Sequence, residues 1–175
     1  MKFNVILGCI FALAGIAAAV PGPHCINRAD PDRYAYGATG EIAAIKNCTA
    51  VLTDPHGKFR LTASEAQAAF VDLTLYTNAE SCPMCASAIR WAGFREYVYG
   101  SSIDTLIQKG WGQIRISSAD VFEASYDLPS QSRLMGDVLA NETDPYFLWQ
   151  FDPSYPCPHG CSRTKDGSSC RGPSG

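Results

Sequence analysis

Charge is sparse in this 175-residue chain. Asp, Glu, Lys and Arg make up 18% of it, with 14 basic residues against 17 acidic ones and a net charge of −3. The basic residues are scattered, so the Lys/Arg patch that a phosphate backbone demands is missing, and nucleic acid is not an expected partner. No internal repeat is present, which excludes solenoids and propellers. Histidine is limited to His24, His56 and His159. The one long apolar run, Val5 to Val20, is shorter than the ~20 residues that cross a bilayer, and Pro21-Gly22-Pro23 breaks it. Disorder is not indicated either, because 46% of the residues are hydrophobic.

What is there begins with a basic residue, Lys2, ahead of that apolar run, and Ala17-Ala18-Ala19 at its end. That order describes a secretory signal peptide over residues 1–19, cleaved near Ala19. The expected localisation is therefore extracellular, with no membrane association after cleavage. Losing Lys2 takes the charge balance to 13 basic against 17 acidic residues, and losing Cys9 takes the cysteines from eight to seven. Eight is many for a cytosolic chain and few for a miniature disulfide scaffold. The oxidising route permits disulfides, and seven leaves one cysteine over.

Residues 20–152 read as one domain, and 153–175 as a Cys/Pro/Gly-rich tail. From Gly40, Ile42, Ile45, Thr49 and Leu52 recur at helical spacing and predict one buried stripe. Thr53-Asp54-Pro55-His56-Gly57 closes that helix as a loop. Thr62 with Glu65 forms a capping box ahead of a short helix over 63–70. Residues 71–77 are rich in β-formers and read as a buried strand. Cys82 to Ala92 reads as a helix with Pro83 in its first turn and Gly93 at its stop. A strand is expected over 95–99, a helix over 102–109, a third strand over 113–117, a helix over 118–125 and a terminal helix around 145–151. Strands alternating with helices predict an α/β fold with helices on the faces of a sheet. Trp91, Trp111 and Trp149 are expected in or near the core. Of the two glycosylation sequons, Asn141 is expected at the surface and Asn47 on a packed helix. In the tail, Cys157-Pro158-His159-Gly160-Cys161 with Cys170 suggests either a second metal site or, better in a secreted chain, disulfides that pin the tail.

Cys82 and Cys85 stand at i and i+3 where a helix begins after a strand. The unpaired amides and partial positive charge of a helix start favour thiolates. Spacing alone leaves three readings open: a zinc half-site, a redox dithiol as in a thiol oxidoreductase, and a structural disulfide or plain packing. Glu41, in the first turn of its helix, reads equally as simple compensation of the helix dipole.

The surrounding residues add a resemblance. Thr74-Leu75-Tyr76-Thr77, Glu80, Cys82-Pro83-Met84-Cys85-Ala86, Ala88-Ile89, Trp91-Ala92-Gly93 and Val98-Tyr99-Gly100 resemble the zinc-dependent cytidine/deoxycytidylate deaminase superfamily. The nearest branch is that of guanine deaminases and tRNA adenosine deaminases. Gly40-Glu41-Ile42-Ala43-Ala44-Ile45 resembles the second half of that family's His-x-Glu-Ile helix. The resemblance implies a three-layer α/β/α sheet and a zinc ion with Cys82 and Cys85 among its ligands. It also implies Glu41 as the proton shuttle, a nucleobase or nucleoside substrate with a purine such as guanine favoured, and room for a homodimer.

Two departures qualify these expectations. Thr39 stands where the resemblance places a ligand histidine, and a neutral hydroxyl is a poor zinc ligand. His24, Cys25, His56 and His159 are the conceivable substitutes. Cys48 is ~13 Å along the helix from Thr39 and too distant. Weak zinc binding and impaired turnover are therefore expected. Second, residues 20–40 are too few for the first helix and hairpin of the family, so an open strand edge is expected at 73–77. A milder departure is Ser81 in place of proline.

Overall fold

The structure, a computed structural model, describes residues 40–149, 151–157, 161–167 and 170–171. The expected signal peptide, Thr39, His24, Cys25 and His159 lie outside the described residues.

Helix α1 spans Gly40–Thr53 and α2 spans Ala63–Ala69. The capping box forms as expected, with Thr62 accepting from the Glu65 amide and Glu65 accepting from the Thr62 amide at 2.8 Å. A single 3₁₀ turn, Phe70–Asp72, then takes the first part of the predicted strand, and β1 runs over Thr74–Ala79. Helix α3, Pro83–Ala92, has Pro83 at its start and ends at Gly93, whose φ of 84° is the left-handed stop that glycine adopts without strain. Strand β2 follows at Glu96–Ser101, α4 at Ile103–Gln108 and α5 at Ser118–Ala124. Strand β3 is Arg133–Met135 and α6 is Ala140–Thr143, which leads into a 3₁₀ turn over Asp144–Phe147. The tail carries a two-residue pairing of β4, Ser162–Arg163, with β5, Cys170–Arg171.

The sheet order is β1-β2-β3, parallel throughout. Each crossover carries helix, as parallel pairing requires. One face presents Leu75, Tyr97, Tyr99 and Leu134 to a core shared with Ala44, Cys48 and Leu52 of α1, Ile89 of α3 and Phe122 of α5. On the other side α6 packs against β2. The chain is thus an α/β fold with helices flanking a parallel sheet, compatible with the three-layer arrangement expected. Among the described residues β1 has a neighbour on one side only. No helix among the described residues is long and apolar enough to cross a membrane.

Several expectations are corrected. Residues 113–117 are not a strand. Ile116 turns back on Ile114 with an amide-to-carbonyl bond of 2.9 Å, and both side chains are exposed. Ser117 is instead the cap of α5, and the third strand is the short segment that Ser132 and Arg133 anchor to the carbonyls of Phe94 and Arg95. The buried row of α1 is Ala44, Cys48 and Leu52, while Thr49 and Asn47 are exposed. Two small residues let α2 and α3 approach there, and Ile45 only flanks the row. Trp91 is 72% exposed, whereas Trp149 is buried and Trp111 is half-buried with its Nε1–H donating to the Phe147 carbonyl at 2.8 Å. The terminal helix expected around 145–151 is reduced to the 3₁₀ turn over Asp144–Phe147, and α6 lies ahead of it. The tail packs onto the domain: Cys157 and Cys170 form a disulfide, Cys161 is also disulfide-bonded, and the Arg163 guanidinium donates to the carbonyls of Trp149 and Tyr155.

Candidate functional site

Strand β1 ends at Ala79, and after three intervening residues α3 begins at Pro83. This turn carries Cys82 and leads into Cys85. Cys82 caps α3 with extended backbone, and its side chain makes no capping hydrogen bond. Its free thiol is half-buried, and one turn on, the Cys85 thiol is buried in the first turn of the same helix. Glu41 sits in the first turn of α1. The structure brings the two helix starts together: the Ser81 hydroxyl donates to Glu41 Oε1 at 2.8 Å. The glutamate is therefore hydrogen-bonded to the residue that precedes Cys82. His56 is exposed beyond the other end of α1, roughly 18 Å of helix away from Glu41, and takes no part.

The turn is held from several directions. The Ser81 amide donates to the Tyr97 hydroxyl at 2.7 Å, and Thr77 Oγ1 lies 3.1 Å from the same hydroxyl. Ser118 Oγ donates to the Ser81 carbonyl at 3.2 Å. The carboxylate of Glu80, itself 6% exposed, accepts the Ile103 amide at 2.8 Å on Oε2 and the Ser118 amide at 2.6 Å on Oε1. Ile103 and Ser118 are the first residues of α4 and α5. Burial lifts the Tyr97 phenol well above its ordinary value, with Ser81 and Thr77 opposing. Burial, reinforced by the charges of Glu80 and Asp137, pushes Tyr99 up to about 12. Both phenols are neutral donors and acceptors at ordinary pH.

Glu80, Ser81 and Tyr97 are site residues that sequence reasoning did not assign. Ser81 could have been found. A proline there would lack both the amide that meets Tyr97 and the hydroxyl that meets Glu41, so the substitution itself was the signal. Nothing in the spacing announces the other two, whose partners are main-chain amides.

Cys82 and Cys85 offer two thiolates on one helix turn, the soft half of a zinc ligand set. A catalytic zinc takes three protein ligands, and among the described residues no three His, Cys, Asp or Glu side chains are grouped to hold a metal. The described residues thus fit half of such a site and not the whole of it. What they make without a metal is a carboxylate anchored by a neutral hydroxyl beside two thiols.

Comparison with known proteins gives a short match. Over 35 residues the sequence is 49% identical to a probable cytosine deaminase of Schizosaccharomyces pombe. The match covers 20% of this chain and 22% of that protein. No protein-family model matches the chain, and no solved structure matches it. A segment of the chain is therefore deaminase-like.

Proposed function

We infer that the chain is a secreted hydrolase of the zinc-dependent deaminase kind, directed at the amino group of a small nucleobase or nucleoside. The observation that carries this reading is the 2.8 Å hydrogen bond from Ser81 to Glu41. It places a carboxylate against the turn that presents two thiols, where an acid–base residue must be if it is to reach the reacting water directly or through one bridging molecule. Glu41 is the group that would carry one proton from the attacking water to the ring nitrogen and then a second, from the added hydroxyl, to the amino group, which leaves as ammonia when its C–N bond breaks. Cys82 and Cys85 would hold the zinc, whose contribution when bound is hydroxide at near-neutral pH. A purine such as guanine is favoured through the branch resemblance. Cytosine joins the panel because the similar segment belongs to a probable cytosine deaminase. The scattered basic residues argue for a small molecule over a nucleic acid.

A second reading has its own observation. With no three-ligand group among the described residues, and Thr39 where a histidine is expected, the chain is a deaminase-like scaffold that binds zinc weakly and turns over little or nothing. One experiment separates the two. Zinc content of the purified chain is measured beside ammonia release from guanine, adenosine, cytosine and cytidine. Near-stoichiometric zinc, with release that Glu41→Gln abolishes, establishes the first reading. Little zinc and no release, with zinc uptake raised by Thr39→His, establishes the second. No zinc in either the parent or Thr39→His overturns both.

A further inference from the structure

Glu80 is the one buried carboxylate at this corner that the proposed chemistry leaves unused. It lies two residues before Cys82, between the end of β1 and the start of α3. Its side chain spans two helices that are distant in sequence. Oε2 accepts the first amide of α4, from Ile103, at 2.8 Å, and Oε1 accepts the first amide of α5, from Ser118, at 2.6 Å. Its own amide donates to the Ser101 carbonyl at 2.8 Å, at the end of β2. These are amides that a helix start leaves without intrahelical partners, and they carry the positive end of the helix dipole. A single carboxylate satisfies one on each side. Ser118 reinforces the arrangement by donating its hydroxyl to the Ser81 carbonyl at 3.2 Å.

We propose that Glu80 is the positioning residue of the dithiol corner. By gathering the starts of α4 and α5 onto its two oxygens, it fixes the Ser81–Cys82 turn, and with it the placement of the Cys82 thiol and the Ser81 contact to Glu41. This rests on the deaminase-like reading of the corner. Glu80 touches none of the groups that would react, and it acts through the backbone of the next two residues. The geometry requires both oxygens to be acceptors. In Glu80→Gln one end becomes an N–H donor that faces another N–H, and one buried first-turn amide loses its acceptor. In Glu80→Asp the charge remains, but the shorter stem cannot span both helices.

The test is made on the full chain. Cys82 alkylation by iodoacetamide is followed by peptide mass spectrometry, together with amide hydrogen exchange. Loss of a hydrogen bond to a charged group predicts Cys82 modification faster by about tenfold in Glu80→Gln. The Ser81, Ile103 and Ser118 amides should lose protection while Leu52 and Leu75 in the core keep theirs. Ser132→Ala, which removes a hydrogen bond from Arg90 elsewhere, should leave Cys82 at the parent rate. Should Glu80→Gln fail to fold, Glu80→Asp carries the same readings. Cys82 modified at the parent rate overturns the proposal. So does protection lost equally at Leu52 and Leu75, since Glu80 would then stabilise the domain without positioning the corner. A Co²⁺ titration of the parent chain keeps the two inferences apart. If no thiolate-to-cobalt absorption develops, the metal reading falls, and Glu80 is still decided by alkylation and exchange.

Discussion

Replacing Tyr97 by Phe removes one oxygen from the middle of the domain, and the structure says what that oxygen does. Tyr97 is fully buried, and its hydroxyl accepts the amide of Ser81, which is also fully buried. Thr77 Oγ1, the second neighbour of the hydroxyl, keeps the Ala79 carbonyl at 2.7 Å after the change. The loss therefore falls on the Ser81 amide, which no water can reach. A buried donor left without an acceptor costs about 1–3 kcal/mol, and that is the destabilisation expected in urea unfolding near neutral pH. The alkaline arm is sharper. Burial raises the folded-state phenol above its ordinary value of 10.0. Below that value both folded and unfolded states hold the proton, and the stabilising contribution is fully present. As pH rises past it, the unfolded chain releases a proton that the folded chain keeps, so the parent loses stability by at most about 1.4 kcal/mol per pH unit. Tyr97→Phe has no such group, so the gap between parent and variant should narrow as pH climbs from about 10 to about 11. A variant within about 0.5 kcal/mol of the parent at neutral pH, or a gap that stays constant into the alkaline range, would refute this account of the Tyr97–Ser81 contact.

Two further outcomes are expected. The Glu65 and Asp120 carboxylates are held below their ordinary values of 4.5 and 3.8 by hydrogen bonds from Thr62 and Ser117 respectively. Their contribution is present above those values and is lost as pH falls through the lower folded-state ones, so Thr62→Val with Ser117→Ala, which removes the hydroxyl donors and keeps the amides, should partly flatten the acid limb of a stability–pH curve; an unchanged limb means the hydroxyls contribute nothing to it. The Cys157–Cys170 disulfide closes a loop with a sequence separation of 13, and Cys157→Ser with Cys170→Ser should cost about 3 kcal/mol in denaturant unfolding. A loss below about 1 kcal/mol would mean that Arg163 and its carbonyl partners hold the tail without the disulfide.

Elements with local punctuation were legible in the sequence. The Thr62/Glu65 box, Pro83 at a helix start and Gly93 at a helix stop are each set by neighbouring residues, and α2 and α3 appear where those signals place them. Elements chosen by distant partners were not. Strand β3 is three residues long and is a strand because β2 offers it a parallel edge. The apolar alternation of 113–117 looks more strand-like and stays at the surface because α5 needs Ser117 as its cap. The same division runs through the site. Cys82 and Cys85 stand out by residue type and spacing, and Glu41 only through the resemblance of the segments around it. Glu80 and Tyr97 work through main-chain amides, one of them 38 positions away, and no side-chain pattern marks such a partner.

That division separates scaffold from chemistry in this corner. Glu80, Tyr97 and Ser118 hold the turn with hydrogen bonds among protein groups alone. The Ser81–Glu41 bond belongs to both sides. It ties α1 to the turn, and it fixes one oxygen of the carboxylate that would move the proton. Glu41→Gln keeps an oxygen that can accept from Ser81 while removing the proton acceptor, so it should fold like the parent and be silent in ammonia release. Glu80→Gln should do the reverse, loosening the turn while leaving Glu41 chemically intact. A chain that had lost its third metal ligand would still be expected to fold around this turn, because the groups that build it are not the groups that would bind the metal.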